Sequence, residues 1–394
     1  MIAEAKRLDT VKEYYFSRKL KEVRERVANG RPVINLGIGS PDLAPPKGVT
    51  DALKDGLEHP GAHQYQSYQG LPELRQSITE FYASHYGTKL DPGTEVLPLM
   101  GSKEGIMHIS MAFLNPGDEA LIPDPGYPTY SSVTALSGGV PRKYILSAEM
   151  DWFPDLEALG KEDLSKVKLM WVSYPHMPTG ASANREKFTR LIAFAREHNI
   201  LLINDNPYSF ILGGEPLSIL SVPGAAGVAL ELNSLSKTFN MAGWRVGMLV
   251  GEGHLLKSVL KVKSNMDSGM FYGVQQGAIA ALRCDASWYE SQDEIYRLRR
   301  RAVQELATAL GCTYEADTTG LFVWARLPEG SPDSETSIDL LLEQYDMFVA
   351  PGTIFGHQGE GYIRFSLCVP EEKIREALRR VGSDLPFSKS IEKA

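Results

Sequence analysis

Residues 168–205, KLMWVSYPHMPTGASANREKFTRLIAFAREHNILLIND, read as strand, turn, helix and strand, and that alternation decides the fold. KLMWVSY (168–174) and ILLIND (200–205) are short apolar runs of strand length. Between them, NREKFTRLIAFAREHN (184–199) places Phe188, Leu191, Ile192 and Ala195 at i, i+3, i+4 and i+7, one buried helical stripe. Two apolar strands joined by a helix pair in parallel, and a parallel sheet is covered on both faces. EALIP (119–123) and GVALELNS (227–234) extend the series, so the expected class is α/β with a mostly parallel sheet. This large domain is expected at residues 47–280. Beyond it, an amphipathic stretch (286–310) leads to GLFVWARLP, MFVAPG, GYIRFSL and a last helix over 371–381. Strands and helices are segregated there, as in a smaller α+β domain, expected at 281–394. The N-terminal segment 1–46, through INLGIGSPD (34–42), is expected to pack with it.

The composition agrees with a two-domain enzyme. A chain of 394 residues exceeds one hydrophobic core. A net charge of −8 argues against nucleic acid and against a polybasic membrane role. The N-terminus MIAEAKRLDT lacks the apolar core of a secretory signal, and no apolar run approaches a membrane span. Cys284, Cys312 and Cys368 form no CxxC pair and read as reduced cytoplasmic thiols. The histidines lack metal-ligand spacing, and no metal is expected.

Outward from the deciding stretch, SLSKTFNMAGWRVG (234–247) joins a lysine, two hydroxyls and an arginine in one short span. A lone loop lysine is usually solvated, but Lys237 stands after Ser234 and Ser236 and eight residues before Arg245. Two hydroxyls and a guanidinium suit a phosphate, and a lysine beside them suits amine chemistry. GSKEGI (101–106) offers a second phosphate cradle: Gly101 permits close approach, and Ser102 is expected to cap a helix beginning at Lys103 and Glu104. In DPGYPTY (124–130), Tyr127 follows a buried strand, where its ring can stack on a planar ligand or simply cover a turn. In NDNPYSF (204–210), Asp205 ends a strand and Tyr208 follows; a carboxylate there suits a protonated ring nitrogen, or a turn. Arg364, inside the alternating strand GYIRFSL, either lies at a solvated edge or meets an anion such as a small carboxylate.

Taken in this order, these residues resemble the fold-type I, pyridoxal-phosphate-dependent class I/II aminotransferases, over nearly the whole chain. HQYQSYQGLPELR (63–75), GSKEGIMHI (101–109), NPGDEALIPDPGYPTY (115–130) and FPDLEAL (153–159) look most like bacterial LL-diaminopimelate aminotransferases. The resemblance implies the aspartate-aminotransferase fold, pyridoxal 5′-phosphate as cofactor, and a homodimer with shared active sites. It implies that Lys237 holds the cofactor as a Schiff base and moves protons, while Asp205 keeps the pyridine nitrogen protonated. Tyr208 would donate to the 3′-oxygen and Tyr127 would stack on the ring. Ser102, Lys103, Ser234, Ser236 and Arg245 would hold the phosphate, joined by Tyr65 of the neighbouring subunit. Arg364 would clamp the substrate carboxylate, with Gly39 closing over it and Tyr14 touching the substrate.

One position departs from the pattern. Where the family has an asparagine before the PTG turn, bonded to the cofactor's 3′-oxygen, this chain has Met177, which has no donor. His176 compensates only if the backbone turns, since neighbouring extended residues face opposite sides. The resemblance also implies a cis Met177–Pro178 bond. The expected reaction moves an amino group from an L-amino acid to a 2-oxo acid, 2-oxoglutarate. The alternatives are a β-eliminating C–S lyase on the same site, and a non-enzymatic regulator that senses pyridoxal phosphate. The acidic chain, with no added basic domain, disfavours the regulator.

Overall fold

A computed structural model describes residues 2–10, 15–382 and 386–387. After β1 (Ile34–Asn35), seven strands build the main sheet: β2 (Val96–Leu99), β3 (Glu119–Asp124), β4 (Val140–Ile145), β5 (Val167–Val172), β6 (Leu201–Asp205), β7 (Ala229–Ser234) and β8 (Gly247–Gly251). Their order is β2-β8-β7-β6-β5-β3-β4. All neighbours are parallel except those of β8, which runs antiparallel to β2 and β7. The expected α/β class is thus the observed one.

The helix predicted between the deciding strands runs from Arg185 to Glu197, capped by Asn184, whose side chain accepts from the Lys187 N–H. Its Phe188, Leu191, Ile192 and Ala195 are buried with Met170, Val172 and Leu202. Leu169, Trp171 and Ile203, one residue out of step, meet Ile106 and Ile109 of the helix Ser102–Phe113 on the other face. This period-two division buries both faces and explains why β5 and β6 read as unbroken apolar runs.

The remaining strands are β9 (Thr313–Tyr314), β10 (Phe322–Arg326), β11 (Met347–Phe348), β12 (Ala350–Pro351) and β13 (Tyr362–Ser366). They form an antiparallel sheet β12-β13-β10-β9, while β11 pairs in parallel with β1. The long helix Ala286–Ala309 and the last helix Glu371–Val381 match the predicted stretches. The N-terminal segment is tied to this part of the chain: Arg299 meets Asp42 through two contacts, at 2.6 and 2.9 Å, and the Ser366 N–H donates to the Leu36 carbonyl at 2.7 Å. No helix among the described residues is long and apolar enough to cross a membrane.

Candidate active site

The carboxyl ends of the parallel strands share one edge of the sheet, where α/β folds place ligands. β3 ends at Asp124 and leads to Tyr127, β6 ends at Asp205 and leads to Tyr208, and β7 ends at Ser234 and leads to Lys237. The antiparallel β8 starts at the same edge, because Gly247 pairs with both Ser234 and Leu99. That register brings Arg245, just before β8, against Gly101, just after β2. A Cβ on Gly101 would lie 2.1 Å from Arg245 Nη2, and Gly101 has a φ of +92°, so only glycine lets the guanidinium approach. Arg245 itself adopts a left-handed backbone at φ +58° and donates Nη1 to the Ala242 carbonyl. Ser234 caps the short helix Leu235–Thr238, its Oγ accepting from the Ser236 N–H at 2.9 Å.

Lys237 rises from that helix, and its Nζ donates to the Gly39 carbonyl at 2.5 Å. Burial pushes its pKa below the ordinary lysine value, against an upward pull from Cys368 and with the charges of Arg364 and Arg245 adding to the lowering. Arg364 lies on β13, between β12 and β10, and is buried. Its Nη2 donates to the Gly37 carbonyl at 2.9 Å, its Nη1 meets Met177 Sδ at 3.4 Å, and its Nε has no partner. Phe322 and Phe355 hold the guanidinium carbon, at 3.9 and 4.5 Å from their ring centres. Burial lowers its pKa to about 10, so it stays charged at neutral pH with no carboxylate paired to it among the described residues. Of the two readings open for Arg364, the solvated edge is excluded.

Asp205 is buried, and its Oδ2 accepts from the Tyr130 hydroxyl at 2.7 Å. Its Oδ1 has no partner. Burial raises its pKa to about 6, while the Tyr130 hydrogen bond works to lower it. Tyr208 is buried beside Phe322, and burial raises its hydroxyl pKa well above the ordinary tyrosine value. Tyr127 precedes the helix Pro128–Leu136 and meets Tyr130 edge-on at 5.6 Å.

Two expectations are revised. Ser102 does not cap its helix: Gly101 occupies the cap position, and Ser102 is the first helical residue, with Lys103 exposed after it. The positive φ of Gly101 starts the turn one residue early, and Glu104 reaches back to the Met100 N–H at 3.0 Å. His176 does not replace the missing asparagine. It is buried with its Nδ1 2.8 Å from Thr179 Oγ1, and burial pushes its pKa down to about 3, while Met177 is the residue that meets Arg364. The Met177–Pro178 bond is cis, as expected.

Tyr65 is 90 % exposed. Tyr14 lies outside the described residues. The Gly39 carbonyl is the one that accepts from Lys237, and a Cβ on Gly39 would collide with Phe322 at 2.4 Å. Lys263 is buried in an ion pair with Asp267 at 2.9 Å. The sequence reading missed Tyr130, Phe322, Phe355 and the Gly37 carbonyl. Only Tyr130 left a signal, as the second aromatic of DPGYPTY.

Residues 31–381 match the family model of aminotransferase class I and II. The LL-diaminopimelate aminotransferase of Oleidesulfovibrio alaskensis is 43 % identical over 382 residues, covering 96 % of this chain and 98 % of that protein. That of Aquifex aeolicus is 40 % identical over 95 % of this chain and 97 % of its own length. Among solved structures, apo-BacF from Bacillus subtilis superposes with a TM-score of 0.94 at 37 % identity, covering 98 % of this chain and all of that one. An aspartate aminotransferase mutant from Thermus thermophilus superposes at 0.90 with 28 % identity, over 96 % of this chain and 99 % of that one. The matched span takes in the sheet edge, the Lys237 segment and the Arg364 strand, and the chain belongs to the class I and II aminotransferases, pyridoxal-phosphate-dependent transaminases of the aspartate-aminotransferase fold.

Proposed function

We propose that the chain transfers the amino group of an L-amino acid of the diaminopimelate kind to a 2-oxo acid, 2-oxoglutarate, with each residue of the sheet edge in the role its chemistry suits. The observation that carries this reading is a set of neighbouring groups with three unfilled demands. Asp205 Oδ1 is buried without a donor, Arg364 is a buried charge without a carboxylate, and Lys237 is an amine whose charge is disfavoured. These groups fit pyridoxal phosphate and an amino-acid substrate. Bound, the cofactor supplies an electron-withdrawing ring that eases breaking the substrate's Cα–H bond. Lys237 would hold it through Nζ, Asp205 its ring nitrogen, Tyr208 its 3′-oxygen and Tyr127 its ring face. Ser102, Lys103, Ser234, Ser236 and Arg245 would hold the phosphate, where free helix N–H groups add their dipole.

In turnover, Lys237 Nζ accepts and returns the Cα proton, a role its lowered pKa favours. Arg364 binds the substrate α-carboxylate by its rigid fork, exchanging part of its contact with the Gly37 carbonyl and Met177 for a full charge. Gly39 covers the substrate, and Tyr14 is assigned to it by the family pattern alone. The same proposal divides the chain into a large unit over 47–280 and a small one over 281–394 joined by 1–46, which is supported by the seven-stranded sheet lying in the first range, the four-stranded sheet in the second, and the pairing of β1 with β11. It makes the enzyme a homodimer in which Tyr65 serves the partner's phosphate. It also puts the enzyme in the cytoplasm, supported by three free cysteines.

The test is reconstitution with pyridoxal phosphate, followed by borohydride and peptide mapping, and a panel of amino donors with 2-oxoglutarate read by glutamate formation. The adduct is expected at Lys237, and Lys237→Ala should lose it together with at least about 10²–10⁴-fold in rate. A protein that stays colourless, or an adduct elsewhere, would overturn the assignment. Pyruvate and ammonia released without an acceptor would instead favour the lyase.

A further inference from the structure

We propose that Tyr130 is a positioning residue for the cofactor: its hydroxyl holds the Asp205 carboxylate charged and oriented, and its ring backs Tyr127. The proposal rests on the reading that Asp205 meets the cofactor's ring nitrogen.

Tyr130 is 1 % exposed and sits between three groups. Its ring lies parallel to Trp171, 5.1 Å between centres and 9° between planes, so it cannot tilt freely. Its edge meets Tyr127 at 88°, fixing the plane in which that tyrosine faces a ligand. Its Oη lies 2.7 Å from Asp205 Oδ2, while Ser173 Oγ donates to the Asp205 carbonyl at 3.0 Å. The main chain and one carboxylate oxygen of Asp205 are therefore both tied down, leaving Oδ1 as the oxygen available to a ligand donor.

The hydroxyl also decides charge. A buried carboxylate drifts toward its neutral form unless donors stabilise the ion. Tyr130 is the donor that opposes the burial of Asp205, and without it the carboxylate's pKa rises further above about 6. A neutral acid cannot hold a protonated ring nitrogen, so Tyr130 governs the charge at that nitrogen through Asp205 without touching it.

The test compares holoenzyme carrying Tyr130→Phe, Asp205→Asn and both. Phenylalanine keeps the contacts with Trp171 and Tyr127, so the folding midpoint should stay near that of the parent. The Phe variant should bind pyridoxal phosphate about tenfold more weakly, as for one lost hydrogen bond to a charged group. The acid limb of its kcat/KM profile should move to higher pH by about one unit. In the double variant the Tyr130→Phe effect should vanish, because no carboxylate remains to be tuned. If Asp205→Asn weakens cofactor binding but Tyr130→Phe changes neither affinity nor pH profile, the Tyr130 role is wrong and the Asp205 reading stands. If Asp205→Asn itself binds cofactor like the parent, the underlying reading fails. Should the Phe variant lose its fold, the proposal is overturned in favour of a packing role.

Discussion

Met177 stands where the family pattern has a donor, and its thioether is the partner of Arg364 Nη1 at 3.4 Å. Sulfur is a weak acceptor and no donor, so it neither neutralises the guanidinium nor supports the cofactor's 3′-oxygen. Tyr208 is left as the side chain suited to that oxygen. The bound chromophore should accordingly keep its proton to higher pH than in relatives with asparagine. Met177→Asn restores a donor to a charged oxygen, and should lower the chromophore's titration midpoint by about one unit. An absorbance titration decides the matter: an unmoved midpoint disposes of the argument. The residue was legible as an anomaly in YPHMPTG. Its partner was not, because Arg364 lies 187 residues away.

At the scale of elements, the proposed phosphate cradle depends on how one helix begins. The helix Ser102–Phe113 starts at a glycine in a positive-φ conformation, and that start lets Arg245 lie against it. Gly101→Ala combines a strained left-handed backbone, about 1–2 kcal/mol, with a methyl group in the place of the guanidinium. Arg245 must move, and calorimetry should find phosphate-dependent cofactor binding weakened by about tenfold or more. Unchanged affinity would mean that Arg245 and the helix start do not act together. The GSK stretch pointed to a helix start suited to an anion but assigned the cap to Ser102, since propensity ranks serine above glycine there. The register of β2 against β8, a contact between distant segments, made the difference.

At the scale of the whole molecule, one face gathers exposed apolar side chains. Tyr65 and Tyr68 come from one loop, and Met266 and Phe271 from another that packs on it, where Gly269 lies close to the Gln66 carbonyl. Large exposed apolar patches mark association surfaces, which accords with the proposed homodimer. Sedimentation should find a dimer, and Tyr65→Phe should leave it intact while weakening cofactor binding about tenfold, since its hydroxyl is assigned to the partner's phosphate. Parent-like affinity in that variant would exclude a shared site. Tyr65 was readable only by resemblance, because within one chain it is simply an exposed side chain.

What the sequence determined by itself is local: apolar runs of strand length, the 3.6-residue stripe of 184–199, and a lysine spaced from hydroxyls and an arginine. These follow from backbone geometry and side-chain chemistry over a few residues, and they sufficed for the α/β class and for nominating candidate site residues. What only the tertiary structure decided is which distant groups meet. Arg364 finds the Gly37 carbonyl across 327 residues, Lys237 the Gly39 carbonyl across 198, and Asp205 the Tyr130 hydroxyl across 75. Sheet order and strand register set those meetings, and burial then sets the charges, because removing water makes each unmet donor or acceptor costly.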